Sequence, residues 1–140
     1  ADYTGYCWDN EKKALKAVRG GLATAEKANG KLYNSIVVGG FSQGGAVSLL
    51  AAMQDDIPVL SCVCLCPGLP DFGPREIGSL EKSGVDIFVV TGENDYALED
   101  QKSFFQELEG LRVKLDVIPK LGHWFPLDWK SRLGQILKEL

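Results

Sequence analysis

Residues 40–44 read Gly40-Phe41-Ser42-Gln43-Gly44, and they stand between two apolar runs, Ile36-Val37-Val38 before and Ala46-Val47-Ser48-Leu49-Leu50-Ala51-Ala52-Met53 after. The first run is β-branched and short, as a buried strand is, while the second has the length of a buried helix. A G-x-S-x-G turn between a strand and a helix forces the backbone into a sharp, strained bend that lifts the serine hydroxyl clear at the carboxyl end of the strand. The glycines on either side leave room for the neighbouring chain. Ser42 is therefore the first candidate for chemistry. The pentapeptide alone is a weak signal, because glycine and serine are common, and the plainer reading is an ordinary serine in a strand-to-helix turn. The rest of the chain decides between the two.

A serine poised in this way needs a base to take its proton and an acid to orient the base, in the chain order Ser, Asp or Glu, His. The chain has one histidine, His123, in Leu121-Gly122-His123-Trp124-Phe125, directly after the apolar stretch 113–119. Asp95 lies between, in Thr91-Gly92-Glu93-Asn94-Asp95-Tyr96-Ala97-Leu98, directly after the apolar run 85–90. Three candidates thus fall at the carboxyl ends of three strands, and in a parallel sheet those ends share one edge. Each has a blander alternative. His123, followed by two aromatic residues, could be a loop histidine that only packs. Asp95 could cap the helix expected to start near Leu98, with Glu93, Glu99 or Asp100 as the nearby acid.

These motifs resemble those of the carboxylesterase, phospholipase and acyl-protein thioesterase family of α/β-hydrolases. Residues 40–45 match its G-F-S-Q-G-G elbow, Gly92 to Leu98 resemble its G-x-x-D-x-x-V acid motif with Leu98 in place of valine, and Gly122-His123 resemble its histidine loop. Tyr6-Cys7-Trp8-Asp9 resemble the stretch before the helix that precedes the elbow. The likeness covers almost the whole chain but only the back part of the family's domain. It implies a three-layer α/β/α fold with a mostly parallel sheet, lacking the N-terminal strands, with residues 1–140 as a single domain truncated at its N-terminus. It implies Ser42 as nucleophile, Asp95 as acid and His123 as base in the hydrolysis of carboxylic esters or thioesters through an acyl-enzyme. It also implies that one oxyanion donor is the Gln43 amide, at the start of the helix, where the dipole favours negative charge. The second donor in this fold comes from a loop after an earlier strand, and no such loop is present in the sequence. The competing reading is a hydrolase-fold protein used for binding or regulation, with the triad residues present and the site incomplete. A peptidase or a dienelactone-type hydrolase is a third reading, the latter disfavoured by the lack of a cysteine in the elbow.

At 140 residues and 45% hydrophobic the chain can bury a core of its own. The net charge of −4, with dispersed lysines and arginines, argues against a nucleic-acid partner. The longest apolar segment, Pro58 to Cys66, is well short of the ~20 residues of a membrane span. Cys62, Cys64 and Cys66 alternate with Val63 and Leu65, which puts the three sulfurs on one face of a strand as small apolar fillers, with no metal or cofactor expected. Free thiols suit a reducing compartment and a cytoplasmic location.

Periodicity predicts strands at about 35–40, 59–65, 85–91 and 113–118, and helices at about 10–28, 43–54, 98–109 and 127–139. The first helix is weakened in its middle by Gly20-Gly21. The last is expected to turn Trp129, Leu133, Ile136, Leu137 and Leu140 inward. Residues 67–74 read as a turn-rich loop on the catalytic edge. Leu69, Tyr96 and Trp124 are candidate contacts for the acyl or aryl part of a substrate, each equally readable as packing. Finally, strand 35–40 lacks a partner on one side in this reading, so the chain is expected to pair there with the missing front portion of the domain or with a second copy, unless residues 2–6 cover it.

Overall fold

The computed structural model describes residues 10–69 and 72–140. The stretches 6–9 and 2–6, invoked above as a family likeness and as cover for the first strand, lie outside them. Among the described residues five helices and four strands alternate: α1 (Glu11–Asn29), β1 (Ile36–Phe41), α2 (Gln43–Ala52), β2 (Val59–Leu65), α3 (Pro74–Ser83), β3 (Asp86–Gly92), α4 (Leu98–Glu107), β4 (Val113–Ile118) and α5 (Trp129–Lys138).

The strands form one wholly parallel sheet in the sequential order β1-β2-β3-β4. Crossovers between parallel strands are right-handed, so a sheet that always grows in one direction sends every connecting helix to the same face. The core follows this rule. Leu49 of α2, Leu80 of α3 and Phe105 of α4 pack with Cys62, Cys64, Ile87 and Val89 on one side of the sheet, and α1 adds Leu15 against Leu50 and Ala51. Helix α5 lies on the other side, where Trp129 and Ile136 meet Leu65, Val90 and Ile118. The expected three layers are present, and β2 and β3 are buried on both faces, as their unbroken apolar runs require.

Helix α1 runs through Gly20-Gly21 without a break. Its ends compensate for them: the Asn10 side chain accepts from the Lys13 amide at 2.9 Å, and Gly30 closes the helix in the left-handed conformation.

Three expectations need correction. No helix is expected between the second and third strands, yet Pro74, at the end of the 67–74 loop, opens α3 as a first-turn proline and Gly84 terminates it with φ 66°. Its inward stripe is thin, chiefly Ile77 and Leu80, which is why hydrophobic periodicity passes over it. Helix α5 buries none of its residues; Leu137 remains 49% exposed and Leu140 40%. Much of its attachment is polar, through Arg132 to Asp116 and through Glu139 to Lys114 and Arg112. Between α5 and β1 an open apolar groove of about 450 Å³ is lined by Val37, Gly39, Phe41, Phe125, Leu133 and Leu137 among others. Third, Cys66 lies just past the end of β2 with φ 45°, so its sulfur leaves the row formed by Cys62 and Cys64. Those two donate to the Ser48 and Gly45 carbonyls of α2, whereas Cys66 Sγ turns to Trp124 O at 3.5 Å.

Candidate active site

The turn at Ser42 has the strain the pentapeptide predicts: φ 53° and ψ −116° in a non-glycine residue, between the last residue of β1 and the first of α2. Its backbone is held on three sides. The Ser42 amide donates to Leu65 O at 2.9 Å, and its carbonyl accepts from Gly45 N at 3.0 Å and Gly68 N at 2.9 Å. Of the glycines flanking the serine, Gly40 is the one the turn requires, because a Cβ there would run into the backbone of Gly44, whereas a Cβ on Gly44 itself would meet open space. The Gly68 loop is fixed in turn by Gln101 of α4, a fully buried side chain whose Nε2 donates to Pro67 O at 3.1 Å.

His123 reaches this serine from 81 positions away, with Nε2 3.0 Å from Ser42 Oγ. Its Nδ1 lies 2.8 Å from Asp95 Oδ2. Of the carboxylates the sequence leaves open, Asp95 is the one in contact with the imidazole. Glu93 instead accepts from the Lys120 amide, and Glu99 pairs loosely with Lys102. Asp95 also does what the blander reading proposed, since Oδ1 accepts from the Ala97 amide at 2.8 Å ahead of α4. One carboxylate thus braces a helix start with one oxygen and the imidazole with the other.

The Asp95 side chain is fully buried, which by itself would raise its pKa. The Ala97 amide, the His123 imidazole and the Cys66 thiol outweigh that and hold it below the ordinary carboxylate value. An ionised carboxylate only accepts hydrogen bonds, so the facing Nδ1 must carry the proton. The neutral ring then presents a lone pair on Nε2 toward the Ser42 hydroxyl. This tautomer is the one a general base needs.

The histidine loop reaches this position through close backbone contact with the acid loop. Asn94 N donates to Leu121 O at 2.8 Å and Glu93 N to Ile118 O at 2.9 Å. At Gly92 a Cβ would collide with the carbonyls of both Leu121 and Gly122, so only glycine lets the two loops meet. The ring of His123 is flanked by Tyr96, centroids 4.8 Å apart, and Phe41 at 5.0 Å.

Among the proposed substrate contacts, Tyr96 and Trp124 are exposed, at 80% and 62%, and Trp124 packs edge-on to Phe41. Leu69 sides with the packing reading: it is half-buried against the main core near Phe72. Sequence reasoning missed Phe41, Cys66, Gln101 and the close contact at Gly92. Phe41 is a variable position of the pentapeptide, and Gln101 looks like any polar residue of an exposed helix. Burial pushes the Cys66 thiol up to about 11, with Asp95 adding to the effect, and Cys64 to about 12.

With this geometry established, comparison with known proteins is decisive for the family. Residues 12–123 match the phospholipase/carboxylesterase family, and the chain belongs to it. It is 45% identical over 64 residues to acyl-protein thioesterase 1 of Mycosarcoma maydis, a stretch that is 44% of this chain and 26% of that protein. An uncharacterized protein from Bacillus cereus superposes with a TM-score of 0.83 at 26% identity, over 96% of this chain and 45% of the other. SOBER1 of Arabidopsis thaliana superposes with a TM-score of 0.68 at 22% identity, over 93% and 65% respectively. The fold is that of the α/β-hydrolases, and the match covers 26% of the first of these relatives and 45% of the second. No helix among the described residues is long and apolar enough to cross a membrane.

Proposed function

We propose that the protein is a serine hydrolase that cleaves carboxylic esters or thioesters through an acyl-enzyme. The observation that carries this reading is the unbroken line from Asp95 through His123 to Ser42, with both hydrogen bonds at or under 3.0 Å and the required imidazole tautomer dictated by a buried carboxylate. In the proposed cycle His123 Nε2 takes the hydroxyl proton as Ser42 Oγ attacks the carbonyl carbon. Asp95 offsets the charge that develops on the ring, and the proton passes to the leaving alcohol or thiol. Water activated by the same nitrogen then releases the acid. The Gln43 amide, at the positive end of α2, donates to the developing oxyanion. A second donor is assigned to the part of the domain that relatives carry beyond the length of this chain. The exposed rings of Tyr96 and Trp124 are the candidates for contact with the acyl or aryl group. The acyl-protein thioesterase relative favours a thioester among the substrate classes, and three free, buried cysteines favour a reducing, cytoplasmic setting.

Labelling by a fluorophosphonate tests the reading, because it requires an activated serine and little of the substrate site. Labelling at Ser42 is expected, and a chain that stays unlabelled would instead support the binding or regulatory role that an incomplete oxyanion hole would leave it.

We further infer that the outer edge of β1 is paired in the working protein, by the remainder of the domain or by a second copy. Among the described residues β1 is hydrogen-bonded on one side only, and Val37 is 38% exposed. Light scattering of the isolated chain should find dimers or larger species; a stable monomer with cooperative unfolding would refute the inference.

A further inference from the structure

We propose that Cys66, Asp95 and His123 form a binding site for a soft divalent cation, zinc foremost, and that the bound ion switches off the serine; the second half of this proposal rests on the hydrolase reading above. Cys66 Sγ, a carboxylate oxygen of Asp95 and a ring nitrogen of His123 lie within 4.8 Å of one another. Any such triangle contains a point within about 2.8 Å of all three corners, and zinc bonds to thiolate, imidazole and carboxylate run about 2.0 to 2.3 Å, so shifts of about half an ångström complete the first three bonds. The carbonyl of Trp124, 3.5 Å from Sγ, stands by as a fourth donor.

The donor set selects the metal. One sulfur, one imidazole and one carboxylate suit zinc, whereas magnesium and calcium call for oxygen ligands throughout. The surroundings favour retention: Cys66 is fully buried and Asp95 is 5% exposed. Cys66 and Asp95 are also preorganised by their own backbone contacts, and His123 by those of its loop. Cys66 N donates to Val90 O at 2.8 Å, Asp95 N to Gly92 O at 3.0 Å, and Trp124 N to Gly122 O at 3.0 Å next to His123. The left-handed backbone of Cys66 is what aims its sulfur here; Cys62 and Cys64, in regular strand, point to α2 instead.

Binding has a simple proton balance. Asp95 enters as the carboxylate it already is. The thiol proton leaves to solvent, and the Nδ1 proton shifts to Nε2 as zinc takes Nδ1. The +2 ion meets two anionic ligands, so the site ends neutral. Nε2 then carries a hydrogen and cannot accept the one on Ser42 Oγ, so the base is lost while the fold is kept.

The test uses the 140-residue chain in two arms. Titration with Co²⁺ or Cd²⁺ should give a thiolate-to-metal charge-transfer absorption that saturates at one equivalent. Cys66→Ser should abolish it, and so should Cys66→Gly, which suits the left-handed backbone and guards against a folding defect; Cys64→Ala should retain it. In the second arm, Zn²⁺ should slow fluorophosphonate labelling of Ser42 by at least about tenfold, reversibly with EDTA, with that ratio collapsing toward one in the Cys66 variants. Absence of the absorption band overturns the site. Equal slowing by zinc in wild type and Cys66→Ser overturns the role of the sulfur. A chain that is unlabelled with or without zinc fails the hydrolase reading instead, and the absorption titration still decides whether the site exists.

Discussion

On one face of the sheet, α2 to α4 shut Leu49, Ile87, Val89 and Phe105 away from water and α1 covers Leu50 and Ala51, whereas on the other, among the described residues, α5 alone covers part of the surface and leaves the groove beside β1 open. Both faces carry apolar strand residues, with Lys114 and Asp116 of β4 the charged exceptions on the α5 side. What differs is topology, since a sheet built in sequential order by right-handed crossovers collects its linking helices on one side. The other side can be covered only by helices that enter from beyond the four-strand unit, and among the described residues α5, which follows the last strand, is the helix that does so. The serine, acid and histidine stand at the carboxyl edge where the faces meet, and their supports, Gln101, Gly68 and Gly92, come from the strand ends and the closed side. The arrangement of these three side chains is therefore held within the described residues, whereas the covering of the sheet is not.

That contrast can be broken or sharpened in several ways. Ser42→Ala should have the largest effect, lowering ester hydrolysis by more than about a thousandfold while the unfolding midpoint stays put; activity within tenfold of wild type would end the assignment of Ser42. On the closed face, Leu49→Ala should cost about 2–5 kcal/mol in denaturant unfolding. Its counterpart on the open face, Leu137→Ala, should stay within about 0.5 kcal/mol, because half the side chain is already in water. Comparable losses at both sites would show that the groove is covered in solution. Gly92→Ala should cost about 1–3 kcal/mol through overpacking, and it should lower hydrolysis beyond what the lost stability explains, since the loops at Leu121 and Asp95 must part. Kinetics on the fraction that remains folded would reveal this.

Smaller effects concern pH and salt. Asp95 has a depressed pKa in the folded state, so its contribution to stability is present above the ordinary carboxylate range and is lost as pH falls through its lowered value. The stability gap between wild type and Asp95→Asn should therefore narrow in acid; a gap independent of pH would deny Asp95 its charge. The opposite sign holds for Cys66. Its thiol is raised to about 11, so the stability it confers is whole below the ordinary thiol value of about 8.5 and declines as pH rises from there toward 11. Cys66→Ser should flatten that alkaline decline. Smallest of all, molar salt should loosen α5 by no more than about 0.5 kcal/mol through its exposed ion pairs, visible as faster amide exchange in α5 than in α2.

Much of this architecture is legible in the sequence because the two inner strands, buried on both faces, read as nearly unbroken apolar runs, and β4 keeps apolar residues at alternate positions. All four strands lie within a residue or so of the ranges expected from these patterns, and Ser42, Asp95 and His123 stand past the ends of three of them. Helix α3 was hidden because a helix that touches the core mainly through Ile77 and Leu80 has almost no period to detect. Cys66 was misplaced because alternation holds only while the strand continues, and one left-handed residue redirects the side chain. The bareness of α5 could not be read at all: Leu133 and Leu137 carry the same stripe whether or not anything lies against them. Leu69 is the mirror case, an apolar loop residue whose position between strand and helix gave no sign that it belongs to the core.

The missing side chain at Gly92 also has a consequence for how this site can change over generations. The room it leaves is filled by the backbone of a loop almost thirty positions later, so neither loop is free to drift alone. A lengthened or rebuilt 119–123 segment would face the same fixed gap, and any residue larger than glycine at 92 would demand a different path there. Variation at this end of the molecule should therefore be paired, with loop redesign succeeding only when both segments are exchanged as one cassette.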